Sequence, residues 1–266
     1  MATPFNTRLL AEIERKGTSL CLGLDLDPGR DSPLHNSTLG TLRAAAASIV
    51  EATWAQVAAY KLNFAFFERH GPDGYAWLAE LAAFIGDRAL VIGDGKRGDI
   101  GNSARHYAEA TFGALGMDAA TVQPMLGRDS LEPFMADPAK GAFVLCLTSN
   151  PGADDFQRHP PGDPLFMRVA AWAQNANRQN NLGLVVGATR PEDLASIRQA
   201  APDLPFLMPG VGAQGGDLEA ALSAGGPTAP VLIAVSRSII YAGNGTLADI
   251  TRAVAGYNAA IQAAAP

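Results

Sequence analysis

What this 266-residue sequence lacks limits its possible roles before any motif is read. No apolar run approaches the ~18 residues that a membrane-spanning helix requires. There is no basic excess either. Lys and Arg total 20 against 26 Asp and Glu, a net charge of −6, whereas a nucleic-acid partner demands a basic face. An anionic small substrate stays open, because a site can be locally basic on an acidic protein. Cysteine is confined to Cys21 and Cys146, both inside apolar strand-like runs, which reads as two buried thiols rather than a disulfide. His35, His70, His106 and His159 show no metal-ligand spacing, and no GxGxxG follows the first apolar run. The opening residues mix Arg8, Glu12, Glu14, Arg15 and Lys16 with apolar side chains, unlike a signal peptide. A soluble, cytoplasmic protein is expected.

Lysine is scarce too: Lys16, Lys61, Lys96 and Lys140 stand against sixteen arginines. A chain that uses arginine so heavily for surface charge keeps lysine where guanidinium will not serve. Lys61 and Lys96 end apolar strand-like runs, where a solubilising charge is out of place. Lysine is compact and can release its proton, which arginine cannot. Both become candidates for chemistry.

Short β-rich runs alternate with helical patterns along the whole chain. Strands are expected at 20–25, 57–64, 89–94, 119–123, 143–149, 182–187, 206–210 and 231–236. Helices are expected near 40–53, 74–86, 101–115, 128–136, 164–179, 191–200, 214–223 and 247–264. The strands are nearly continuous apolar runs, as in parallel sheets covered on both faces. Eight strand–helix units in this length predict one (β/α)8 TIM barrel domain over 1–266, with an extra helix near 4–16 capping its bottom or packing outside it. The least regular stretch, 150–164, is rich in Pro, Gly and Asp and follows the fifth strand. It is a lid candidate.

The sharpest motif is Asp94-Gly95-Lys96-Arg97-Gly98-Asp99-Ile100. Residues two apart on a strand share a face, so Asp94 and Lys96 project together at a strand's C-terminal end, the active face of such barrels. A structural ion pair is the plain alternative, and Asp99 could simply cap the following helix. The glycine-containing Pro209-Gly210-Val211-Gly212-Ala213-Gln214 follows strand seven and Ser236-Arg237-Ser238-Ile239 follows strand eight, where barrels of this kind hold phosphate. Gly210 and Gly212 permit close backbone approach, Gln214 adds an amide donor, and Arg237 offers a planar fork for two phosphate oxygens.

The Asp94–Ile100 run resembles the DxKxxDI signature of orotidine 5′-phosphate decarboxylases. The resemblance extends in order from about residue 20 to 240, and KRGDIGNSA and TSNPG are similar to the longer bacterial branch. It implies decarboxylation of orotidine 5′-phosphate (OMP) to UMP, with neither metal nor organic cofactor. By resemblance Lys96, Asp94, Lys61 and Asp99 form the catalytic charge row. Asp25 contacts ribose and Ser149 the pyrimidine, while Pro209, Gly210, Gly212, Gln214 and Arg237 grip phosphate. A homodimer is implied in which Asp99 and Ser103 reach the partner's ribose site. Three rivals remain. Related phosphate-sugar synthases share the D-x-K-x-x-D run but bind Mg2+ with a glutamate where Lys61 stands here. A noncatalytic nucleotide sensor has no use for Lys96 between carboxylates. A Schiff-base aldolase needs a neutral lysine, which flanking carboxylates oppose.

Overall fold

A computed structural model describes residues 2–29, 32–187, 190–211, 218–225 and 229–264. Eight parallel strands close into a barrel in sequence order: β1 Leu20–Gly23, β2 Ala59–Asn63, β3 Leu90–Arg97, β4 Ala119–Val122, β5 Gly141–Leu147, β6 Leu182–Val186, β7 Phe206–Pro209 and β8 Val231–Val235. The circle closes by pairing Leu20 with Ile233 and Leu22 with Val235. All eight expected strands are present and the (β/α)8 architecture is as read from the sequence. Their ends move for local reasons. β2 covers Ala59–Asn63, two residues inside the expected start, with Val57 extended after a 3-10 turn at Trp54–Gln56. β3 continues past Asp94 to Arg97, and its register against β4 shifts between Gly93 and Arg97.

The crossover helices lie where periodicity placed them, at Leu39–Thr53, Gly71–Ile85, Gly101–Ala108, Arg128–Met135, Leu165–Ala176, Pro191–Ala200, Leu218–Ser223 and Leu247–Ala263. Residues 214–217 of the seventh expected helix lie outside the described residues. Thr38 and Thr246 start two helices by accepting the N–H of Thr41 and Asp249, each at 3.2 Å, which satisfies donors that a helix N-terminus leaves open. Three single turns, Ala65–Glu68, Ala153–Phe156 and Arg237–Ile240, were not expected. Four residues are too few to display a 3.6-residue period.

Side chains alternate between the barrel interior and the helix layer. Tyr60, Leu62 and Val91 join the large apolar layer beneath the helices. Cys21, Ala59, Leu90, Ile92, Ala119, Phe143, Val185, Leu207 and Leu232 fill the interior. The N-terminal helix Phe5–Lys16 plugs the bottom: Phe5 is buried and meets Phe143 edge-on, ring centroids 5.9 Å apart. Of the two positions open to this helix, the structure shows the capping one. Gly141 and Gly183 make room, since a Cβ on either would approach Phe5 or Phe143 to within 2.6 Å. Cys21 and Cys146 are free, buried thiols, as expected. No helix among the described residues is long and apolar enough to cross a membrane.

Candidate active site

Following the interior positions upward converts the core into a site. On β2 Ala59 gives way to Lys61; on β3 Leu90 and Ile92 give way to Asp94; on β4 Ala119 gives way to Thr121. Strand alternation thus delivers polar groups to one end of an otherwise apolar tube. They line a cavity of about 340 Å³, within the usual range for a small-molecule site. Leu145, Val185 and Leu207 form its apolar wall, and Pro209, Gly210, Ser236, Arg237 and Ser238 line the side of β7 and β8.

Four charges alternate along this end of the barrel. Lys61 Nζ lies 3.7 Å from Asp25 Oδ1 and 2.9 Å from Asp94 Oδ2, and Lys96 Nζ lies 2.7 Å from Asp94 Oδ1. Burial alone would drive Asp94 toward its neutral form, but Lys61 and Lys96 outweigh it and hold the carboxyl well below the usual carboxylate range. Burial likewise disfavours the Lys61 ammonium, yet Asp94 and then Asp25 reverse this and raise its pKa above the ordinary lysine value. The two lysines differ in access. The Lys61 side chain is 11% exposed and sealed in the wall, whereas that of Lys96 is 45% exposed to the cavity. Of the two lysines, Lys96 is the one open to a bound molecule.

The expected site residues divide into three groups. Asp25, Lys61, Asp94, Lys96, Ser149, Pro209, Gly210 and Arg237 all line the one cavity. Gly210 has φ +93°, which permits the close backbone approach foreseen for it. Asp99 and Ser103 do not line it: Asp99 Oδ1 accepts the N–H of Ile100 at 2.8 Å, and Ser103 is exposed on Gly101–Ala108. Asp99 is not the helix cap either, since Ile100 holds that position and no side chain caps it. Gly212 and Gln214 lie outside the described residues.

Two residues of the cavity, Thr121 and Asn63, escaped the sequence reading, and others do more than it gave them. Thr121 donates to Asp94 Oδ1 at 2.8 Å, yet a threonine in a strand is unremarkable by itself. Asp25, assigned only to ribose, also ends the charge row. Asn63 lines the cavity two residues after Lys61, and the same-face rule could have found it. Ser236 and Ser238 carry buried hydroxyls with no hydrogen-bond partner among the described residues. Segment 150–164 is better anchored than its composition suggests. Gln157 Oε1 accepts the Thr148 N–H at 2.7 Å, and Arg158 pairs with Asp193 at 2.7 Å. Phe156 stands 73% exposed on its short helix.

Comparison with known proteins identifies the family. Residues 18–248 match the family described as "Orotidine 5′-phosphate decarboxylase / HUMPS family". The orotidine 5′-phosphate decarboxylase of Herpetosiphon aurantiacus is 44% identical over 256 residues, 94% of this chain and 95% of that protein. The protein of the same name from Thermomicrobium roseum is 46% identical over 264 residues, 94% of this chain and 92% of its own. The solved structure of Leishmania donovani OMP decarboxylase superposes with a TM-score of 0.85 at 38% identity, covering 98% of each chain.

The depressed Asp94 carboxyl has a consequence for stability. A carboxylate whose folded pKa is lowered contributes stability above its unfolded pKa near 4 and loses it as pH falls toward the folded value. From pH 4 to pH 3 the wild type should lose about 1 kcal/mol more stability than Asp94→Asn, read from urea unfolding. Parallel acid limbs for the two proteins would contradict the buried, doubly paired carboxylate.

Proposed function

The chain belongs to the orotidine 5′-phosphate decarboxylase / HUMPS family, and on that basis we propose that it removes CO2 from OMP to give UMP, the last step of de novo UMP biosynthesis, without a metal or organic cofactor. The observation that carries this reading is the Asp25–Lys61–Asp94–Lys96 row at the cavity. The metal-dependent rivals need acidic groups free to hold Mg2+. Here the Lys61 ammonium stands between Asp25 and Asp94 and supplies the positive charge itself. The aldolase reading needs an amine free to attack a carbonyl, whereas the Lys96 nitrogen is engaged by Asp94 at 2.7 Å.

Breaking the C6–carboxylate bond leaves its electron pair on C6, in an orbital the pyrimidine ring delocalises poorly. In the proposed mechanism the Lys96 ammonium stabilises that charge and then gives C6 a proton, CO2 leaves, and the amine regains a proton from water. Asp94 sits beside the departing carboxylate, while Lys61 keeps Asp94 ionised and oriented. Asp25 is assigned to the ribose, Ser149 to the pyrimidine, and Pro209, Gly210, Gly212, Gln214 and Arg237 to the phosphate. Binding energy from that nonreacting phosphate would be spent closing segment 150–164 over the site. Residues 1–266 act as one domain in this reading, in the cytoplasm. The position of Asp99 and Ser103 away from their own chain's cavity favours a homodimer in which they complete the partner's ribose site.

Lys96→Arg keeps the charge but offers no small, releasable proton. Its kcat for OMP should fall nearly as far as that of Lys96→Ala. Retention within about tenfold, a loss under roughly 1.4 kcal/mol, would remove the proton-donor role. The shared site makes a separate claim. Lys96→Ala and Asp99→Ala are each expected to be inactive, but hybrid dimers hold one pocket free of both substitutions. Random exchange makes about half the dimers hybrid, so roughly a quarter of wild-type activity should return for independent sites. A mixture shown by mass spectrometry to exchange subunits, yet still inactive, would rule out the composite site.

A further inference from the structure

We propose that Thr121 is a positioning residue for the decarboxylation, one hydroxyl holding both the Asp94 carboxylate and the Lys96 backbone; this rests on the assignment of Asp94 and Lys96 to the reaction. The Thr121 side chain is buried at the end of β4 and faces the cavity. Its oxygen accepts the backbone N–H of Lys96 at 2.9 Å, and its O–H reaches Asp94 Oδ1 at 2.8 Å. A backbone N–H can only donate and an ionised carboxylate can only accept, so the direction of both bonds is determined. The same Asp94 oxygen receives the Lys96 ammonium at 2.7 Å. Three groups therefore form a closed loop: Lys96 backbone to Thr121, Thr121 to Asp94, and Asp94 back to the Lys96 side chain.

The loop lies where the backbone needs holding. Lys96 has φ +45°, in the left-handed region that a residue with a Cβ rarely adopts, so the surrounding structure must hold it there. It also lies within the register shift of β3 against β4. There the Lys96 N–H goes to a neighbouring side chain, and the hydroxyl that receives it is stiffly directed because threonine is β-branched at χ1. Relaxation of this turn would move the ammonium relative to bound OMP. A misplacement near 1 Å can cost on the order of 100-fold in rate.

Thr121→Val keeps the shape and deletes the hydroxyl; Thr121→Ser keeps the hydroxyl and deletes the methyl. We expect Val to lower kcat for OMP about 30-fold or more, with KM and the Kd for UMP unchanged within about twofold. Ser should retain kcat within about fivefold of wild type. If the Val variant does not fold, Thr121→Cys, similar in size but a weak donor, takes its place with the same expected split. Equal losses in Val and Ser would make Thr121 a packing residue and overturn the proposal. So would a Val kcat within about threefold of wild type, or a loss expressed in KM alone. Wild-type protein that fails to consume OMP would instead overturn the function on which the proposal rests, an outcome read before any variant is compared.

Discussion

A single ionised carboxylate shared by two ammoniums is the constraint on which this site depends. Asp94 is nearly enclosed, and removing a charge from water is costly unless paired groups restore what is lost. Lys61 and Lys96 restore it from opposite sides, one at each carboxylate oxygen. Because Lys61 is itself buried, it needs Asp25 as well as Asp94, and the row extends one strand further. The balance is reciprocal: each charge is tolerated because of its neighbours, and removing one leaves the others exposed to desolvation.

The barrel makes this arrangement affordable. Its lower interior is apolar and tightly filled, from Phe5 and Phe143 up to Ile92 and Leu207. Polar groups occur where β2, β3 and β4 reach their C-terminal ends, so the desolvated row sits above a core that is satisfied without it. Loops after β1 and β8 are drawn together as the Tyr241 hydroxyl accepts the Asp27 N–H at 2.7 Å. This joins the side of the cavity assigned to ribose to the side assigned to phosphate.

The β/α alternation was legible because each strand is an apolar run and each long helix carries a clear period. Asp94 and Lys96 were legible because a two-residue spacing fixes a common face within one strand. Membership of Asp25 in the row was not, since it depends on packing between β1, β2 and β3, which no local pattern encodes. Thr121 gave no signal for the same reason: its role arises from the shift of β3 against β4. Asp99 is a different case: Gly98 and the change from strand to loop carry it away from its own chain's cavity, which is compatible with the partner-site role that the resemblance implies for it. The segments proposed to hold phosphate were readable in outline from Gly210, Arg237 and the serines beside it, while the burial of the Ser236 and Ser238 hydroxyls follows from the fold alone.

In the proposed reaction this row of side-chain charges removes CO2 from OMP without a metal ion. That reaction is tested most directly by following the loss of OMP absorbance, and the appearance of UMP, with metal-stripped protein in buffer containing EDTA. Full turnover is expected there, unchanged when Mg2+ is added. A strict requirement for Mg2+, or no consumption of OMP under either condition, would contradict it.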